Sequence, residues 1–334
     1  ARDLLDSARA TVARALAVKP LEIVWTSGGT ESNNIAILGG EWRHAITTTI
    51  EHSATTKAFE RLAARGVRVS YVAPESDGLV SIASVLGALT DETDFISIHH
   101  VHSELGVVQR VADIARAVKA VRKSIVVHVD AAQSPLWLDV SPHMLRADLV
   151  SYDAQKVGGP KGAGILWRDY AVTVTSIYGG GSQERGIRPG TEHVAAAVSA
   201  AVAFTEAVSG RKARAVQVAK LRDFLVAEIQ KTLPSAVLLG STKRRVPNNA
   251  FFMIPGVDGD YLAVLMDQAG VAVTPRSACL GSGGAVSEAA LAFTGSRTHA
   301  ASTIRFSLGP TTTKSDIVRA VKALHKSLRV AGIA

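Results

Sequence analysis

This sequence predicts an α/β fold: a mostly parallel central sheet with helices on both faces, followed by a smaller C-terminal α+β domain. Three observations predict it. Up to about Ser209, β-rich runs alternate with helical patterns, the arrangement that builds parallel sheets from strand–helix–strand units. The strands are short, continuous apolar runs, as expected where both sheet faces are covered. Past Gly210 the pattern changes to a long charged amphipathic helix and then to short strands interleaved with helices, which places a large domain over 1–209 and a small one over 210–334.

In chain order, ARDLLDSARATVARAL reads as a first helix and EIVWTS as a strand, with a helix from about Glu31. HAITTTI is the next strand, with a helix from about Ser53, and RVSYVA, DFISIHHV, SIVVHVD and DLVSYDA follow as strands. In the second part AVLLG, NNAFFMIPG, VAVT and STIRFSLG read as strands. No internal repeat or low-complexity linker separates the two parts.

Composition narrows the function classes. At 334 residues, 47% hydrophobic and 20% charged, the chain can bury a substantial core. Its single cysteine, Cys279, permits no internal disulfide, which suits a reducing, cytoplasmic setting. The blandest apolar stretch, VAAAVSAAVAF at 194–204, is too short to span a bilayer. A net charge of +8 bears on association and solubility, not on fold. The densest basic cluster, Lys243, Arg244 and Arg245, has no interleaved aromatics and reads as a solvated turn, so no nucleic-acid partner is expected. No metal ligand is assigned.

Chemistry begins at TSGGTESNN, where a strand runs into two glycines and a helix. Gly28 and Gly29 allow close backbone approach, Thr30 adds a hydroxyl, and a helix start favours an anion such as phosphate. The same glycines would also serve a tight turn with nothing bound. In IEHSA, His52 stands just before a helix, where its ring can cap that helix or lie over a bound heteroaromatic ring. Asp130 directly follows the apolar run VVHV, so its carboxylate emerges at the carboxyl edge of the sheet, where ligands of such folds collect and where a buried charge calls for a cation. A protonated pyridine nitrogen is such a cation, and Gln133 can donate to a ring oxygen. Lys156, in the glycine-rich loop after DLVSYDA, carries an amine able to form an imine with an aldehyde cofactor. Cys279 sits in TPRSACLGSGG, a polar loop, not an apolar run, and reads either as a mobile nucleophile or as an incidental free thiol.

TSGGTESNNIAI, IEHSA, ELGVVQ, HVDAAQS, KVGGPKGAGIL, GGGSQERGIRPGTE, RSACLGSG and TIRFSLG together, in this order over roughly residues 20–310, resemble the cysteine desulfurase branch of the class V aminotransferase-like, fold-type I pyridoxal-phosphate enzymes. The resemblance implies pyridoxal 5'-phosphate held by Lys156 as the imine-forming lysine, Asp130 at the ring nitrogen, His52 stacked on the ring and Gln133 at its hydroxyl. It places Gly29 and Thr30 at the phosphate, Asp153 and Gln155 at family cofactor positions, and Ser103 and Arg305 at the substrate. Arg305 would grip the substrate carboxylate with a bidentate guanidinium, although an arginine in IRFS also suits a structural ion pair. Thr191 would reach the phosphate in the other subunit of a homodimer. The implied reaction removes sulfur from L-cysteine: the freed Lys156 takes the α-proton, the Cys279 thiolate attacks the substrate sulfur, and L-alanine leaves a persulfide on Cys279 for an acceptor protein such as an iron–sulfur scaffold.

Departures cluster at the cofactor. Where the family has Ser-x-His-Lys, this chain has Asp153, Ala154, Gln155 and Lys156. An ionised Asp153 repels phosphate unless it is protonated or turned away, and Gln155 lacks the titratable proton of histidine. His102 and Ser103 replace two asparagines, and the chain opens inside its first helical pattern, as a fragment would. The alternatives are therefore a degenerate, non-catalytic homologue acting as a binding or scaffold protein, and a related selenocysteine lyase or class V aminotransferase.

Overall fold

In the computed structural model, residues 1–275 and 286–333 are described. They form two compact units. The first comprises 1–74, 80–101 and 109–212; the second comprises 75–79, 102–108 and 213–334. A single cut at 209/210 does not anticipate the two short segments that join the second unit. There Val107 pairs with Arg245, and Ser241 N donates to Asp77 O, so each segment is held by contacts remote in sequence.

The first unit is built on a seven-stranded sheet. Its strands are β1 (Ile23–Thr26), β2 (His44–Thr48), β3 (Arg68–Val72), β4 (Thr93–His99), β5 (Val126–Asp130), β6 (Leu149–Asp153) and β7 (Gly164–Arg168), in the order β1-β7-β6-β5-β4-β2-β3. β2 to β6 pair in parallel, whereas β7 runs antiparallel to both β6 and β1. β1 thus points the same way as the parallel strands, and the sheet is mostly parallel as the alternating pattern predicts.

Successive residues of one strand feed opposite faces. Ile23 and Trp25 join one core with α1 (Arg2–Leu16), α5 (Val111–Val121) and α7 (Val194–Thr232), while Val24 joins the other with α2 (Gly29–Leu38) and α3 (Ser53–Ala64). β1, β2 and β6 are buried at every residue and β4, β5 and β7 at all but one, polar residues such as Thr47, Ser97 and Ser151 included, whereas the edge strand β3 is largely open. The short helices α4 (Ile82–Gly87) and α6 (Pro142–Leu145) complete the unit. The apolar stretch at 194–204 and the charged pattern after Gly210 are one helix, α7, which contributes residues to both units. Among the described residues no helix is long and apolar enough to cross a membrane.

The second unit contains a three-stranded antiparallel sheet ordered β10-β9-β8, from β8 (Val237–Leu238), β9 (Asn249–Met253) and β10 (Thr303–Ser307). Around it lie α8 (Gly259–Gln268), α9 (Glu288–Thr294), α10 (Arg297–Ala301) and α11 (Lys314–Val330). VAVT forms no strand; only Thr274 makes an isolated bridge, to Arg305. The solvated-turn reading of the basic cluster fails at Arg245. Its guanidinium donates to Leu105 O at 2.7 Å, to Asn249 Oδ1 at 2.9 Å and to Leu239 O, and burial pushes its pKa down to about 10.

Candidate active site

Parallel topology brings the strand ends that carry chemistry to one edge of the sheet in the first unit. His99, Asp130 and Ser151 are aligned across β4, β5 and β6, and Asp153 aligns with Gly164 and Thr26 across β6, β7 and β1. The chain leaves this edge at each functional segment.

After β1 it turns through Ser27 and Gly28 into α2, which starts at Gly29, two residues before the predicted start. Gly28 has φ 152°, a conformation that L side chains rarely adopt. Gly164 packs against this turn: a Cβ at Gly164 would lie 2.5 Å from both the C and Cα atoms of Gly28. The three backbone N–H groups of the turn already have acceptors within the chain. Ser27 N donates to a Glu31 carboxylate oxygen, Gly28 N to Thr26 Oγ1 at 3.4 Å, and Gly29 N to Asp153 Oδ2 at 3.2 Å. Glu31 is held in turn by Arg188 Nε at 3.1 Å. Thr30 is exposed.

After β2, His52 caps α3, its Nδ1 accepting from Ala54 N at 3.1 Å, so the capping role foreseen for a histidine at a helix start is present. Its neighbour Glu51 is buried. Glu51 Oε1 accepts from Thr48 Oγ1 at 2.7 Å and lies 2.9 Å from His99 Nδ1, while both carboxylate oxygens accept from His99 N. Gln109 Nε2 lies 3.4 Å from His99 Nε2, and Val80 N donates to Gln109 Oε1 at 2.9 Å.

Asp130, at the end of β5, is 7% exposed. Its Oδ1 accepts from Ala132 N at 3.0 Å and its Oδ2 from Asn33 Nδ2 at 2.6 Å. Burial pushes its pKa above the usual carboxylate value. The Ala132 amide, the nearby His52 ring and Asn33 oppose that shift, and Glu51 adds to it. A cation at this carboxylate would relieve the cost of burial. Asn33 was not anticipated from sequence, although it lies one helical turn after Thr30 in the same glycine-led motif. Gln133 is partly buried just beyond.

β6 ends at Asp153, and Lys156 follows in a single 3₁₀ turn, Ala154–Val157, where Gln155 and Lys156 are both exposed. Asp153 caps that turn through Gln155 N at 3.1 Å. Thr191 is exposed on the segment before α7.

In the second unit, Arg305 Nη1 donates to Ser103 O at 2.8 Å, so two predicted substrate residues are in contact. Its Nε is buried with no hydrogen-bond partner among the described residues. Burial lowers the guanidinium pKa, against the opposing pull of Glu104. Cys279 lies outside the described residues.

Comparison with known proteins decides the lineage. The profile described as "Aminotransferase class-V" matches residues 1–319. The chain belongs to the class-V aminotransferase family. It is 36% identical to the cysteine desulfurase IscS of Aeromonas salmonicida (strain A449), over 98% of this chain and 82% of that protein. It is 32% identical to that of Dictyoglomus turgidum (strain DSM 6724 / Z-1310), over 97% and 84%. A solved NifS-like protein superposes with a TM-score of 0.91 at 31% identity, covering 98% of this chain and 88% of the other. DndA from Streptomyces lividans gives 0.79 at 31% identity, covering 92% and 88%. Class-V aminotransferases of the cysteine desulfurase type depend on pyridoxal 5'-phosphate.

Proposed function

We propose that this chain is a pyridoxal-phosphate-dependent cysteine desulfurase that takes sulfur from L-cysteine onto Cys279 and passes it to an acceptor protein. One observation carries the reading: a buried carboxylate, Asp130, stands beside His52 on the sheet edge from which the Lys156 turn departs, in a chain aligned with cysteine desulfurases over nearly its whole length.

The residues fit the cofactor at its ring end. Asp130, fixed by Asn33 and Ala132, would hold the ring nitrogen, His52 would cover the ring and Gln133 would meet its hydroxyl. At the phosphate end, Gly29 N and Thr30 would serve once Asp153 turns aside. When bound, the cofactor supplies an aldehyde for amines and a sink for the electrons of the substrate α-carbon.

The protein's own groups do the rest. Arg305, whose Nε has no hydrogen-bond partner among the described residues, would pair with the substrate carboxylate. The Lys156 amine would remove the α-proton and return a proton to the product. The Cys279 thiolate would attack the substrate sulfur as the carbon–sulfur bond breaks, leaving a persulfide and, after proton return, alanine. The exposure of Thr191 suits a homodimer in which it serves the other subunit's phosphate site.

The test is the protein supplied with pyridoxal phosphate, L-cysteine and a thiol reductant: sulfide and alanine should form in equal amounts, and Cys279→Ala should keep its cofactor yet release no sulfide. Turnover with selenocysteine alone, or amino transfer to a keto acid, would favour the lyase or aminotransferase readings. The Asp153 carboxylate on Gly29 N, together with Gln155 and Ser103 at family positions, favours a non-catalytic homologue, which would stay colourless at saturating cofactor.

A further inference from the structure

The phosphate end of the site is filled from within. Gly29 N is the first amide of α2, a ten-residue helix whose start favours an anion. The anion seated there is Asp153. Its Oδ2 accepts from Gly29 N at 3.2 Å, its Oδ1 from Gln155 N at 3.1 Å, and Gln155 Nε2 approaches Oδ2 at 3.5 Å. The fit is close: a Cβ on Gly29 would stand 3.3 Å from both Asp153 Cβ and Oδ2, and one on Gly28 would stand 3.8 Å from Oδ2. Asp153 is only 9% exposed. Glu31 takes the amide of Ser27, so the chain's own carboxylates occupy two of the three turn amides and the Thr26 hydroxyl the third.

We propose that Asp153 determines specificity at the cofactor site: it is an internal anion that competes with the cofactor phosphate for the Gly29 amide, so this chain binds pyridoxal phosphate as an exchangeable ligand and gains little from the phosphate over pyridoxal itself. The inference rests on the pyridoxal-phosphate reading above. To enter, a phosphate must displace the carboxylate from Gly29 N and then lie near its negative charge, whereas the ring end, at Asp130 and His52, is indifferent to the phosphate. The phosphate group therefore contributes less than a helix-start site with free amides would give it.

The experiment measures the affinities of full-length wild type, Asp153→Asn and Asp153→Ser for pyridoxal phosphate and for pyridoxal, by visible absorption and by quenching of tryptophan fluorescence, with urea midpoints to establish folding. Wild type should bind the two compounds within about tenfold of each other. Both variants should gain about tenfold or more for pyridoxal phosphate and stay within about threefold for pyridoxal. Inorganic phosphate should compete with pyridoxal phosphate more effectively in the variants than in wild type. The Asn variant keeps the shape of Asp153 and removes its charge, so a gain there separates electrostatic competition from a packing effect. Equal changes for both compounds, or none, would overturn the proposal. If neither compound binds any of the three proteins, the cofactor reading itself falls and takes this one with it, an outcome distinct from bound pyridoxal without phosphate discrimination.

Discussion

Replacing Gly164 by alanine should damage the Ser27–Gly29 turn without touching any ionisable group. A Cβ at 164 would lie 2.5 Å from Gly28 C and Cα and 2.6 Å from Thr26 Oγ1, against 3.4–4 Å for ordinary contact. The neighbours at Gly28 are backbone, so no side chain can swing away; β7 and the turn after β1 must part by about 1 Å. Overpacking of this size costs about 1–3 kcal/mol. The displaced turn carries Gly29 N, so pyridoxal-phosphate affinity should fall as well, by no more than about tenfold, because Asp153 already holds that amide and limits what the phosphate contributes. Urea unfolding of the apoprotein and absorption titration with pyridoxal phosphate measure the two effects. Gly87→Ala is the control, because its Cβ would meet nothing within 4 Å and its φ is unexceptional; it should change stability by less than about 1 kcal/mol and leave cofactor affinity alone. A Gly164→Ala protein that unfolds and binds like wild type would refute the close approach of β7 to the Ser27–Gly29 turn.

Arg305→Lys should raise KM for L-cysteine more than it lowers kcat, by about tenfold or more, because lysine cannot offer a paired donor set; steady-state kinetics would contradict the role if KM were unchanged. Arg9→Met should cost about 3–5 kcal/mol in urea, since it removes both guanidinium donors, at 2.5 and 2.7 Å, from the buried Glu184 carboxylate and leaves it the Trp25 amide at 2.9 Å; Arg9→Met/Glu184→Leu should recover part of the loss, because Trp25 N then loses its acceptor. His128 is held neutral by burial, with its pKa pushed down to about 3 from 6.5, between Ser97 Oγ at 2.8 Å and Ser151 Oγ at 2.9 Å. The unfolded chain then binds the extra proton, so stability should be full above pH 6.5 and fall by up to about 1.4 kcal/mol per unit as pH drops from 6.5 toward 3. His128→Gln should flatten that slope in pH-dependent unfolding, and an unchanged slope would assign it to other groups.

Asp130 and the parallel sheet were legible because each is a local pattern: an apolar run marks a strand buried on both faces, and a carboxylate at its end has one edge to emerge from. The antiparallel β7 was not, since GAGIL carries no sign of its direction. Asn33 was hidden for a related reason; its partner, Asp130, lies far along the chain, and nothing in TESNN shows which asparagine faces it. Arg245 misled because three basic residues in a turn look solvated, whereas its acceptors, Leu105 O, Leu239 O and Asn249 Oδ1, come from separate segments of the second unit. Sequence did mark Asp153 as a carboxylate where the resemblance expects a serine. Only the structure shows that it sits on the Gly29 amide and fills the space that glycine leaves.

The account as a whole depends on which amine takes up the aldehyde. Borohydride reduction of the protein saturated with pyridoxal phosphate, followed by peptide mass mapping, reads this directly. The pyridoxyl mass should fall on Lys156 alone, with the visible absorption lost in Lys156→Ala. Label on the nearby Lys161, label spread over surface lysines, or no label would contradict the account.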